Sequence, residues 1–314
     1  MKNTSFKLLL VLCTIVAVSL SSCKKSETST TDDVVSAQDH TTASQHLNAS
    51  IDDASNAAGG VGSLAGKTDG FAAIVGASID YSDTIHGKIT ITYDGTTAVD
   101  GLFKRSGIVT ITLANYPATH WKDAGAMLEV NFDNIQVTNL FTGAQFKYTG
   151  LHHIVNETGN LAYKVLNGTY IGTVRHHHTA TGLTVTFANG AIRNWNIDRY
   201  REYTNTGGTN GISIKVYAGS PAGQPANVDV WGTNRNGESF YNQIITPVVF
   251  SINCSNYREP TSGEIKHTVG NRLLDVLLGV DASGTPITTG CPWGYKVTYT
   301  LNNHTYNRVI QYWH

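Results

Sequence analysis

His176-His177-His178 is the densest set of ligating side chains in the sequence. On a strand, His176 and His178 share one face and His177 takes the other. Two imidazoles at that spacing can chelate zinc, and the remaining protein ligand must come from elsewhere. His152 and His153 are the nearest candidates. If residues 145–154, 161–166 and 169–178 form a meander, one strand separates the two histidine sets. Two strand spacings are about 9.6 Å, too far for one ion. The expectation is therefore no metal site and no cofactor, with the imidazoles at a polar strand end.

Arg193, Arg199 and Arg201 fall on one parity with Trp195, Ile197 and Tyr203, while Asp198 and Glu202 fall on the other. Forked guanidinium donors beside flat rings suit a carboxylated or sugar ligand. The outer face of a solvated strand fits the same pattern. Trp195, Arg199, Arg201 and Tyr203 are the ligand-binding candidates. Trp231, Phe240, Tyr241, Trp293, Tyr295 and Tyr299 offer either a glycan platform or core and cross-strand pairs.

Catalysis on a glycan needs two converging carboxylates. Asp52-Asp53 fall in an expected helix, Asp281 in a loop, and Asp275 in the apolar run Arg272-Leu-Leu-Asp-Val-Leu-Leu. Asp275 shares a parity with Leu273 and Leu277. If it is buried it needs a partner such as Arg272 or Lys296. There is no Gly-x-Ser-x-Gly, no His-Glu-x-x-His, no phosphate-cradling loop and no reactive cysteine motif, so no catalytic residue is nominated.

The start of the chain says where these residues work. Lys2 and Lys7 precede the apolar run Leu8 to Val18, which is too short for a stable membrane span. Leu20-Ser21-Ser22-Cys23 follows, the pattern of a bacterial lipobox. Residues 1–22 read as a lipoprotein signal peptide. The Cys23 sulfur would take a diacylglycerol and the new terminus an acyl chain, which anchors the chain effectively permanently. The expected place is the cell envelope, on the outer membrane, reached through the N-terminal lipid. Formal net charge is −1, which argues against a nucleic-acid partner. Cys13 leaves with the signal peptide. Cys254 and Cys291 remain, and an oxidising compartment lets them pair, the alternative being two buried thiols.

Residues 23–36 are polar and read as a flexible tether. Residues 37–71 read as a short helix, with Ala43, Leu47, Ile51 and Ala54 at helical spacing, followed by a Gly-rich connector. From 72 to 314 the period is two: Ile89, Ile91 and Tyr93, then Leu128, Val130 and Phe132, then Leu183, Val185 and Phe187. This predicts an all-β, mostly antiparallel sheet of some fourteen to sixteen short strands, extended, curled or stacked rather than a closed barrel. Asn167-Gly168 and Asn189-Gly190 mark hairpins, with Asp94-Gly95, Asp100-Gly101 and Asn236-Gly237 as further turns. A soft domain boundary or a continuous sheet fits 204–211.

Together these segments resemble a group of β-rich envelope lipoproteins of the Bacteroidota without an assigned activity. The shared segments are the lipobox, Gly87 to Gly95, Arg105-Ser106-Gly107, Gly232-Thr-Asn-Arg-Asn-Gly237, Cys254, Thr261-Ser262-Gly263 and Gly290-Cys291. Relatives often carry a further cysteine where this chain has Ala98 or Val99, so the resemblance implies one bridge here. It implies an envelope lipoprotein with extended sheet and no substrate. The expected role is a non-enzymatic binding or structural module with a glycan or envelope-protein partner. The alternative is an enzyme acting on polysaccharide or peptidoglycan.

Overall fold

A computed structural model describes residues 25–60, 62–65, 73–99, 101–208, 211–251, 254, 259–301 and 304–312. The signal peptide over 1–22 and the lipid site at Cys23 lie outside the described residues.

One long helix, α1, spans Lys25–Gly60. Its sequence holds no proline, and its first glycine is Gly59. Ala43, Leu47, Ile51 and Ala54 line one face and are buried, as their spacing predicts. The tether over 23–36 is corrected: the backbone is helical from Lys25, and Val34, Ser36 and Ala37 are already buried. Val34 and Ala37 join a core formed with the sheet, so the buried part of the helix begins well before Ala43. The short helix α2, Gly62–Ala65, follows and buries Leu64.

Fourteen strands then form one sheet. The first seven are β1 (Ala77–Asp80), β2 (Lys88–Val99), β3 (Phe103–Leu113), β4 (Ala126–Asn139), β5 (Gln145–Asn156), β6 (Gly172–Phe187) and β7 (Ile192–Asn205). The rest are β8 (Ile212–Ala218), β9 (Val228–Thr233), β10 (Ser239–Ser251), β11 (Pro260–Val269), β12 (Arg272–Val280), β13 (Gly294–Leu301) and β14 (His304–Gln311). Each strand pairs antiparallel with its sequence neighbour, with one exception. Both β8 and β9 lie between β7 and β10, β9 along one half and β8 along the other. Asn205 pairs with Ile212, so the sheet runs through the 204–211 loop without a domain break.

Asn189-Gly190 joins β6 to β7 and Asn236-Gly237 joins β9 to β10, as their turn chemistry predicts. Asp94-Gly95 instead sits at an irregularity inside β2. The strand expected over 161–166 is a short helix, α3 (Ala162–Leu166). Ala162 and Val165 bury at helical spacing, and Asn167-Gly168 ends that helix rather than turning a hairpin. This places β5 directly beside β6.

The curl has a local cause. Register shifts fall at Ser106/Ile108, Phe132/Ile135, Thr149/His152 and Ala180/Leu183, one beside the next across β3 to β6. Aligned bulges bend a sheet along a line. Gly107 sits on that line with φ +116°, where an added Cβ would lie 2.7 Å from the Asn134 carbonyl oxygen. The bent sheet packs around α1, which touches strands from both ends of it, including β2, β3, β4 and β12. One core joins Leu47, Ile51 and Ala54 to β2–β7. A second joins Val34 and Ala37 to β8, β10, β12 and β13.

Cys254 and Cys291 form a disulfide with Cα atoms 5.2 Å apart. It ties the end of β10 to the segment before β13. Asp275 lies half-buried on the outer parity of β12 with the exposed Leu273, opposite the buried Leu274, Val276 and Leu278.

Candidate functional site

The arginine parity of β7 is the inner face of the sheet. Arg193, Trp195, Ile197, Arg199, Arg201 and Tyr203 are all buried against α1. The solvated-strand reading is therefore corrected. The stripe does bind a carboxylate, and that carboxylate belongs to the chain's own helix. Arg201 donates through Nη1 to Asp52 Oδ1 at 2.7 Å and through Nη2 to Asp52 Oδ2 at 3.0 Å. The Tyr203 hydroxyl donates to the same carboxylate at 3.2 Å. Arg199 donates to Asn48 Oδ1 at 2.9 Å, and Arg193 to the Ser36 carbonyl at 2.8 Å. Such forked pairs are the stronger kind of ion pair.

Other strands repeat the scheme. From the β9–β10 turn, Arg235 grips the Asp39 carboxylate with two nitrogens. From β3, Arg105 reaches Asp53 at 2.8 Å, while the Tyr93 hydroxyl donates to Asp53 at 2.7 Å. The Gly232–Gly237 segment explains the first of these. Gly232 has φ +156°, and a Cβ there would meet the Asn194 carbonyl oxygen at 1.9 Å, so only glycine lets β9 close on β7. Asn234 Oδ1 then accepts from the Asn236 and Glu238 amides, fixing the turn that presents Arg235. Burial pushes the Arg193 guanidinium down to about 9 and raises the Asp39 and Asp53 carboxyls.

The histidines are inside as well. Because β5 and β6 are neighbours, His152 Nε2 lies 3.1 Å from His178 Nδ1, which corrects the expected separation by an intervening strand. His176 packs against Trp121 and Tyr203 at centroid distances of 5.0 and 5.1 Å. Burial lowers the pKa of all three, to about 3 for His176. His177 faces outward and bonds Asp198 at 2.7 Å. Among the described residues, no three His, Cys, Asp or Glu side chains are grouped to hold a metal.

The expected aromatics divide between faces. Phe240 and Tyr295 are core. Trp231 and Tyr241 are half-buried on the outer parity and lie opposite each other across β9–β10. Tyr299 stacks on Tyr306 at 5.4 Å. Trp293 is half-buried before β13.

A cavity remains where β8 and β9 abut. It lies between α1 and the sheet, and its interior leaves about 60 Å³ for the centres of water-sized spheres. Val216, Ile244, Val248, Phe250, Ile265 and Leu278 form an apolar wall. His40, Arg199 and Asp229 form a polar end. Asp229 Oδ2 is 3.7 Å from Arg199 Nη1, a loose pair. Burial outweighs that arginine and lifts the Asp229 carboxyl to about 6. Burial likewise lowers Arg199 and His40. Arg199 was on the expected stripe, whereas His40 and Asp229 were not nominated. Asp229 carried one usable signal, a lone acid inside the apolar run Val228-Asp229-Val230. Comparisons with family models, curated proteins and solved structures give no match to this chain, so its chemistry is read from these residues alone.

Proposed function

We propose that the chain is a lipid-anchored module of the cell envelope that works by binding rather than by catalysis. One observation carries the reading. The inner-face carboxylates Asp39, Asp52 and Asp53 are each engaged by an arginine of the sheet, and the space left over is an apolar-walled cavity. An apolar pocket with a few convergent polar groups is the usual form of a small-ligand site. Lipid attachment at Cys23 would put the helix directly after the anchor and the sheet around it. A glycan or envelope protein would meet the outer face, where Trp231 and Tyr241 pair.

An enzyme acting on polysaccharide or peptidoglycan is the second reading. Its support is Asp229, a carboxyl raised to about 6 in a cavity, as a general acid requires. Asp229 is the one acid among the residues lining that cavity, and glycoside chemistry uses two. The test pairs location with activity. The wild-type chain is expected in the membrane fraction and Cys23→Ser in the soluble fraction. Equal retention of both would overturn the anchor. Reducing ends released from envelope polysaccharide or peptidoglycan by the wild type and abolished in Asp229→Asn would overturn the binding reading.

A further inference from the structure

The polar end of the helix–sheet cavity holds three atoms without a hydrogen-bond partner: His40 Nδ1, Arg199 Nε and Asp229 Oδ1. The three residues are only 6%, 4% and 3% exposed. An unmet buried donor or acceptor costs about 1–3 kcal/mol, so three at one place mark a position that something polar should fill. Chain folding explains why they stay unmet. Arg199 already gives Nη2 to Asn48, and its Nη1 faces Asp229 at 3.7 Å. Asp229 lies near the start of β9, at a register shift against β10 where Val228 and Val230 take partners on either side of it. His40 is turned so that Nε2 lies 3.5 Å from Ser44 Oγ, leaving Nδ1 free.

The chemistry of these atoms selects the partner. Arg199 Nε offers a donor. Asp229 Oδ1 offers an acceptor when ionised. The neutral imidazole of His40 offers an acceptor at Nδ1 when its proton sits on Nε2. A group that both donates and accepts satisfies this set. A carboxylate could accept from Arg199 but would face the Asp229 oxygen. An ammonium could donate to Asp229 but would face the Arg199 guanidinium. On the sheet side, Val216, Ile244, Val248, Phe250 and Leu278 form an apolar wall for a hydrocarbon tail, facing Thr41, Ser44, Gln45 and Asn48 of the helix.

We infer that this cavity binds a small amphiphile whose head is an uncharged hydroxyl or amide, seated on His40, Arg199 and Asp229, with a short alkyl tail along β8, β10 and β12. The inference rests on the binding reading above and specifies its ligand class. The tail is short because the interior of the cavity is small, about 60 Å³ for the centres of water-sized spheres. Buried methylenes at about 0.8 kcal/mol each supply affinity, and the head supplies selection.

The test uses the full chain carrying Cys23→Ser, so that no detergent competes. Isothermal titration compares hexan-1-ol, hexanoate and hexylammonium at pH 7.5. Val248→Trp fills the slot without touching the polar end. Asp229→Asn keeps its shape while changing an acceptor. Hexan-1-ol is expected to bind at one site at least tenfold more tightly than either charged probe. Val248→Trp should abolish that binding, and Asp229→Asn should narrow the gap to hexanoate several-fold. Equal or tighter binding of hexanoate or hexylammonium, lost in Val248→Trp, would overturn the head-group inference while leaving the cavity as a binding site. If none of the three probes binds, or if all bind Val248→Trp as well as the parent, the cavity holds water only. The inference and the cavity-binding reading then fall together.

Discussion

Lowering the pH from 7.5 to 5.5 should remove about 6 kcal/mol of the stability of this fold. Five buried histidines, His40, His152, His176, His178 and His267, are held neutral, each chiefly by burial with nearby cations adding to it. In the unfolded chain they titrate near 6.5. The unfolded state therefore takes up protons first as the pH falls, and stability drops from about pH 6.5 downward. A histidine that stays neutral at pH 5.5 costs about 1.4 kcal/mol against a free imidazole. Five of them cost about 7 kcal/mol. Asp229 acts in the opposite sense. Its folded pKa is raised to about 6, so it favours the folded state as the pH falls through that value, and returns about 0.8 kcal/mol by pH 5.5. Asp39 and Asp53, also raised, add in the same direction. Without those two, the net loss is about 6 kcal/mol, against a typical total of about 5–15 kcal/mol. Urea denaturation at the two pH values, followed by tryptophan fluorescence, measures it directly, since Trp121 packs on His176. His176→Gln should reduce the pH dependence by about 1.4 kcal/mol over this window. A loss below about 2 kcal/mol in the parent, or an unchanged dependence in His176→Gln, would refute the reasoning.

Three further outcomes are expected. Gly232→Ala should destabilise the fold by about 2–4 kcal/mol, because a Cβ would strike the Asn194 carbonyl on β7; an unchanged urea midpoint would contradict this. Removing the Cys254–Cys291 bridge in a double serine variant should cost about 4 kcal/mol, from closure of a loop whose ends are separated by 37 positions in sequence; the measurement is the shift in urea midpoint against the oxidised parent. Phe240→Ala should lower stability by about 3–5 kcal/mol, since Arg193 lies 3.9 Å over its buried ring and loses that packing with the ring; fluorescence-monitored unfolding measures it.

Much of the sheet was legible because its signals are local. Alternation placed Ile89, Leu128 and Leu183 on one face, and Asn189-Gly190 and Asn236-Gly237 carried their own turn chemistry. The helix centre was legible from Ala43, Leu47, Ile51 and Ala54. Its first turns were not, because polar Ser- and Thr-rich sequence carries no apolar period. The parity of Arg193, Arg199 and Arg201 was also visible, but the alternation cannot say which parity faces inward. That depended on helix residues about 150 positions earlier in the chain, Ser36, Asn48 and Asp52, and no local pattern links them. Segment 161–166 reads equally as a short strand or one helical turn, and that ambiguity hid the contact between His152 and His178. The polar end of the cavity was hidden for a similar reason. It combines His40 from the helix with Asp229 near the start of β9, a juxtaposition created by topology alone.

The central claim is that the arginine stripe holds the chain's own helix and is not free for an external ligand. A double-mutant cycle on Arg201→Met and Asp52→Asn tests it most directly, read as unfolding free energies at pH 7.5. The forked contact at 2.7 and 3.0 Å, with Arg201 buried and Asp52 about one-third exposed, predicts a coupling of about 2 kcal/mol. A coupling below about 0.5 kcal/mol, the scale of an exposed ion pair, would contradict it and return the stripe to an outside partner.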